Sequence, residues 1–160
     1  MSKLKLSILI PTYNYRIGIN QILKCINNID SDSKNQIEII ISDDSDQEII
    51  DKKMKEKLKK SFVNFKYIHN KVSLGGPENW NKLINLSRGE YCWILHHDEF
   101  WNENENLVKY ILKFIKNKKP NVLILPIIKQ KIINFYSLRI EIIQKHKLFK
   151  NIQMKFIKNP

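Results

Sequence analysis

Four short polar clusters in this chain of 160 residues carry side chains able to do chemistry, and each comes after an apolar run. Pro11-Thr12-Tyr13-Asn14 follows KLSILI, Asp43-Asp44 follows QIEIIIS, Gly75-Gly76 lies in the loop after VNFKYIH, and His96-His97-Asp98-Glu99 follows EYCWIL. A carboxylate accepts the N–H donors of a base edge, which makes Asp44 the candidate base contact. Tyr13 offers a ring that stacks on a base or hydrogen-bonds a base or ribose. Asp98 supplies the oxygen ligand that Mg²⁺ and Mn²⁺ prefer, and such an ion, held by one carboxylate, also takes the two phosphates of a nucleotide diphosphate. Singly, each cluster has a plain structural reading: Asp43 to Asp46 as a turn and helix cap, Tyr13 as a half-buried turn residue, His96 and His97 as satisfied histidines. Four clusters at four successive strand ends outweigh those readings together.

The elements that must position them follow from periodicity. Lys5 to Ile10, Gln36 to Ser42, Phe62 to His69, Glu90 to Leu95 and Asn121 to Ile128 read as short strands rich in β-branched and aromatic residues. Between them, Asn14 to Ile29, Gln47 to Ser61, a segment opening at Pro77 and ending at Arg88-Gly89, and Asn102 to Lys118 place apolar residues at helical spacing. Strands alternating with helices imply right-handed crossovers and a mostly parallel sheet with helices on both faces, an α/β, Rossmann-like nucleotide-binding architecture. In such a sheet ligands bind beyond the carboxyl ends of the strands, where all four clusters fall. After Lys129 the pattern loosens, and Ile132 to Phe149 reads as a basic amphipathic helix. The chain therefore divides into a nucleotide-binding core, residues 1–128, and a basic C-terminal segment, residues 129–160.

Composition narrows the class. The formal net charge is +12, and the last 61 residues carry ten of those charges. Almost all the basic residues are Lys, with only Arg16, Arg88 and Arg139, and they lack interleaved aromatics, so a nucleic-acid partner is not expected. No Gly-x-Gly-x-x-Gly follows the first strand, which argues against a dinucleotide oxidoreductase. No apolar run approaches the roughly 20 residues of a spanning helix, and a cytoplasmic protein is expected, with the basic C-terminal segment able to rest on the inner face of a membrane. Cys25 and Cys92 fall inside apolar segments and read as reduced, structural thiols.

The segments ILIPTYN, IEIIISDDSD, SLGGPENWN and GEYCWILHHDE, in this order and spacing over residues 4 to 128, resemble the successive motifs of family 2 glycosyltransferases with the GT-A fold. The resemblance implies a nucleotide-diphosphate-sugar donor, usually a UDP-sugar, a divalent metal (Mn²⁺ or Mg²⁺), and transfer with inversion to a glycan or lipid-linked acceptor. It places Thr12, Tyr13 and Asn14 against the nucleotide, Asp44 on the base, and Asp43 beside that pocket. Gly75, Asn79 and Asn81 match a Gly-x-x-x-Asn-x-Asn pattern lining the donor site. Asp98 matches the last carboxylate of the Asp-x-Asp metal motif, with His96 where its first Asp is common. The catalytic base of the family lies well downstream, and here the only acid after Glu105 is Glu141, so the general base is not identified. The chain is thus expected to be the donor-binding, truncated half of a longer enzyme, the alternative being a catalytically silent nucleotide-binding module.

Overall fold

The computed structural model describes residues 4–126 and 139–144. In chain order the elements are β1 (Leu6–Thr12), α1 (Arg16–Asn27), α2 (Ser31–Lys34), β2 (Ile37–Asp43), α3 (Lys52–Ser61), β3 (Phe65–His69), α4 (Gly76–Leu86), β4 (Tyr91–Ile94), α5 (Leu107–Lys118), β5 (Val122–Pro126) and β6 (Arg139–Gln144). They build one six-stranded sheet in the order β3-β2-β1-β4-β6-β5. The first four strands are parallel, whereas β6 runs antiparallel to both β4 and β5. This is the expected α/β architecture.

Alternation along the strands divides the core between the two faces. Leu6, Ile8, Ile10, Ile37, Ile39, Ile41, Tyr91 and Trp93 pack with apolar residues of α1, α3 and α5, while Leu9, Ile40 and Cys92 meet Leu83 and Ile84 of α4 on the other face. β1 and β2 are buried along their whole length, which is why they read as continuous apolar runs. At the amino ends of the strands, the buried carboxylate of Glu38 takes the Ser7 hydroxyl at 2.7 Å, the Arg88 Nε at 3.0 Å and the backbone N–H groups of Arg88 and Gly89. It thereby locks the turn between α4 and β4.

Three boundaries depart from expectation for visible reasons. The cluster at 43–46 caps no helix: α3 begins only at Lys52, capped by Asp51, whose carboxylate accepts from Met54 N at 2.7 Å. The intervening loop is held by Asp43 and plugs the core with Ile49 and Ile50. α5 starts at Leu107 rather than Asn102, because residues 101–106 strap α1, with the Cys25 thiol donating to the Trp101 carbonyl at 2.9 Å and Asn28 Nδ2 to the Glu103 carbonyl at 3.2 Å. Trp101 itself lies on Trp93, ring centroids 5.5 Å apart, as part of the core packing.

The third departure is β6. Residues 139–144, read from sequence as part of an amphipathic helix, form a strand inserted between β4 and β5, so the sheet extends past residue 128. Ile142 is fully buried in the main core cluster, which explains how a segment with Lys-rich flanks pairs as a strand. The rest of the expected helix lies outside the described residues. No described helix is long and apolar enough to cross a membrane.

Candidate donor-binding site

Parallel register brings the polar strand ends to one edge of the sheet. Thr12 pairs with Asp43 and Asp43 with His69, and the chain leaving β4 stays beside β1 through the Leu95 N–H to Leu9 carbonyl bond. A cavity of about 410 Å³ opens there, walled by Thr12, Tyr13, Asp44, Gly75, Asn79 and His96, with Pro11, Ser73, Gly76, Trp80 and His97 completing it.

Asp44 is 4 % exposed, and its carboxylate is filled by the chain itself. Asn70 Nδ2 and Leu74 N reach Oδ1, each at 2.8 Å, while Ser73 Oγ at 2.7 Å, Gly75 N at 2.9 Å and Leu74 N at 3.0 Å reach Oδ2. Burial raises its pKa, but these hydrogen bonds outweigh that effect and hold the carboxyl below the ordinary value. Behind it, Lys82 Nζ donates to Asn70 Oδ1 at 2.5 Å and so fixes the Asn70 amide with its N–H₂ toward Asp44. Asn79, on the buried side of α4, donates to the Ser42 carbonyl at 3.1 Å and accepts from Asn70 at 3.3 Å. Gly75, at φ 77°, makes the turn into α4 that a side chain would strain, and Pro77 sits in the first helical turn.

The β1 and β4 ends meet on the opposite wall. The Thr12 hydroxyl is buried and has no hydrogen-bond partner among the described residues, whereas Tyr13 is half exposed. Tyr13 N donates to His97 Nδ1 at 3.3 Å, and His97 packs against the Tyr15 ring. Burial, with His96 adding to it against the opposing charge of Asp98, lowers the His97 pKa, so its neutral form is favoured. His96 sets its ring edge-on to Trp80, centroids 5.1 Å apart at 73°.

Other expected site residues stand elsewhere. Asp43 is fully buried and accepts from Ser45 N, Ile49 N and the Tyr67 hydroxyl, so it braces the site from beneath. Burial, with Asp43 accepting that hydroxyl, pushes the Tyr67 pKa up. Asn14 turns away from the cavity: its backbone N–H donates to Ser45 Oγ at 2.7 Å and its amide exchanges hydrogen bonds with Asp46. Asn81 is exposed and lines a different groove with Glu78, Lys82 and Asn85. Asp98 is exposed and does not itself line the cavity, although it directly follows the two histidines that do. Glu99 folds back to accept the His96 N–H at 3.1 Å, and its burial raises its pKa. Among the described residues no group of three His, Cys, Asp or Glu side chains converges on a metal position. The donor set fits an ion held chiefly by a ligand's own phosphates, with Asp98 as its free carboxylate, and does not fit a preformed cage. Sequence reading missed Asn70, Ser73 and Lys82, which no periodicity marks.

Glycosyl transferase family 2 matches residues 7–160 of this sequence. The chain belongs to that family. Abequosyltransferase RfbV of Salmonella typhimurium (strain LT2) is 35 % identical over 100 residues, which is 59 % of this chain and 28 % of that protein. Among solved structures, S. aureus TarS 1-349 superimposes with a TM-score of 0.77 at 20 % identity, covering 92 % of this chain and 49 % of TarS 1-349. The same protein in complex with UDP-GlcNAc gives 0.76, also at 20 % identity, over 92 % and 47 % of the two chains. The mannosyltransferase PcManGT of Pyrobaculum calidifontis, in complex with GDP-Man and Mn²⁺, gives 0.54 at 15 % identity over 76 % and 35 %. At these identities the solved structures establish the GT-A-type fold. The family 2 chain described here spans about half the length of TarS 1-349 and less of RfbV.

Proposed function

We propose that this chain forms the donor-binding half of a glycosyltransferase that takes a nucleotide-diphosphate sugar, a UDP-sugar, and passes the sugar with inversion to a glycan or lipid-linked acceptor. The observation that carries the reading is the cavity at the carboxyl ends of β1 to β4, where Thr12, Tyr13, Asp44, Gly75, Asn79 and His96 converge. Solved structures of similar fold, in complex with UDP-GlcNAc and with GDP-Man, support it.

In this reading the Thr12 hydroxyl, without a partner among the described residues, and the exposed Tyr13 ring take the nucleoside. Asp44 receives the base N–H at Oδ2 in exchange for Ser73, the one donor there carried on a freely rotating side chain. The first turn of α4, entered through Gly75 and Gly76, directs backbone N–H groups and the positive end of the helix dipole at the diphosphate. Asp98, with His96 beside it, would hold a divalent metal. Such an ion neutralises the departing nucleotide diphosphate. Asn14, Asp43 and Asn81 support the fold of the site or lie outside it, and are not assigned to ligand contact.

The inverting step further requires a base within about 3 Å of the acceptor hydroxyl. Glu99 is occupied with the His96 N–H and so is not free to act as that base. This placement favours the second reading, a chain that binds donor without transferring it. Contact with an anionic membrane belongs to the same proposal, through the basic segment whose residues 129–138 and 145–160 lie outside those described.

Calorimetric titration with UDP, with GDP as comparison, in Mn²⁺ and in EDTA tests the donor reading. We expect metal-dependent heat with UDP that Asp98→Ala removes. Absence of binding in wild type, or unchanged binding in Asp98→Ala, would sink the donor or the metal assignment respectively. Release of sugar from UDP-sugar by the 160-residue chain would exclude the silent reading.

A further inference from the structure

We propose that His97 is a positioning residue that sets Tyr13 for the donor nucleotide; this rests on the nucleotide reading given above. His97 occupies the middle of the His-His-Asp run, the place the metal motif leaves unassigned. Its Nδ1 accepts the Tyr13 backbone N–H at 3.3 Å.

Two further contacts make His97 a clamp. Its ring lies tilted against Tyr15, centroids 5.3 Å apart and planes at 53°. Its backbone carbonyl lies so close over Gly18 of α1 that a Cβ there would sit 1.9 Å from the oxygen. The end of β4 therefore grips the β1–α1 connection at three points: the Tyr13 amide, the Tyr15 ring and the first turn of α1. Among the described residues no hydrogen bond fixes the Tyr13 phenol, so its place over the cavity is set through its backbone. His97 also lines that cavity and precedes Asp98 directly, which puts the nucleoside side and the diphosphate side of the site on one mount.

Side-chain geometry provides a selective test. Asn sets its Oδ1 near the place of Nδ1, Gln reaches only toward Nε2, and Ala offers neither. We expect His97→Asn to keep the UDP dissociation constant within about threefold of wild type. His97→Gln and His97→Ala should weaken it by about tenfold or more, with melting temperatures of the three variants within a few degrees of one another. By NMR the Tyr13 amide should be protected from exchange in wild type and His97→Asn but not in His97→Ala. An unprotected Tyr13 amide in wild type, an Asn variant as weak as Ala, or an Ala variant binding UDP like wild type would each overturn the proposal. Failure of the wild type to bind UDP would overturn the donor role itself. The exchange of the Tyr13 amide separately decides whether His97 holds that segment.

Discussion

The carboxylate of Asp44 receives its hydrogen bonds from Asn70, Ser73, Leu74 and Gly75, and it is the residue through which the loop before α4 is shaped. Because its folded-state pKa is depressed, the stability it contributes is present above the ordinary carboxylate pKa and is lost as pH falls through the folded value. Asp44→Asn should therefore cost on the order of 2 kcal/mol at neutral pH, with weaker UDP binding. The difference in melting temperature from wild type should shrink on acidification; a difference that grows toward low pH would contradict the assignment. At this scale the sequence revealed which residue types gather at the strand ends but not which of them face the cavity. Asn79 and Asn81 are two helical positions apart, roughly 200° around the axis, so one is buried against Ser42 while the other faces solvent. Asn14, at φ 46°, turns its side chain to Asp46, a partner 32 residues away that no local pattern indicates.

Between elements, two contacts decide how the site is mounted. Gly18→Ala would drive a methyl into the His97 carbonyl, and because the obstacle is backbone it cannot swing aside. We expect a loss of about 1–3 kcal/mol together with weaker nucleotide binding, read by thermal melts and calorimetry. At the far end of the strands, Glu38 serves only the frame. Glu38→Ala should cost about 3 kcal/mol by stranding the Ser7, Arg88 and Gly89 donors. Denaturant unfolding would measure that loss, while UDP affinity in the folded protein should stay unchanged. Five strands and four helices were legible as elements, because β-branched runs and 3.6-residue spacing are local signals. The four-residue α2 and the true start of α5 were not, since a short capped turn and a strap over α1 depend on contacts distant in sequence.

Across the whole molecule, the sheet is closed by a strand that crosses the boundary drawn at residue 128. β6 lies between β4 and β5, so a chain shortened to 128 would leave β4 as an open edge beside Trp93 and remove the buried Ile142. Such a chain should lose cooperative unfolding and aggregate, as checked by circular dichroism melts and size-exclusion chromatography; a monomer with wild-type melting behaviour would show that β6 is dispensable. The net charge also sorts by region: the donor-site half of the sequence is nearly neutral, and the excess of Lys begins along the exposed face of α5 and continues beyond it.

Sequence alone determined the alternation of strands and helices, the polar clusters at the ends of the first four strands, and the family motifs, because each is written in neighbouring residues. Tertiary structure decided what those clusters do. It filled the Asp44 carboxylate with loop donors, buried Asp43, turned Asn14 and Asn81 away, clamped Tyr13 to His97 and threaded β6 into the sheet. Each of these outcomes depends on which groups meet across long stretches of chain, and hydrogen-bond saturation, burial and strand pairing are properties of that meeting rather than of any one segment.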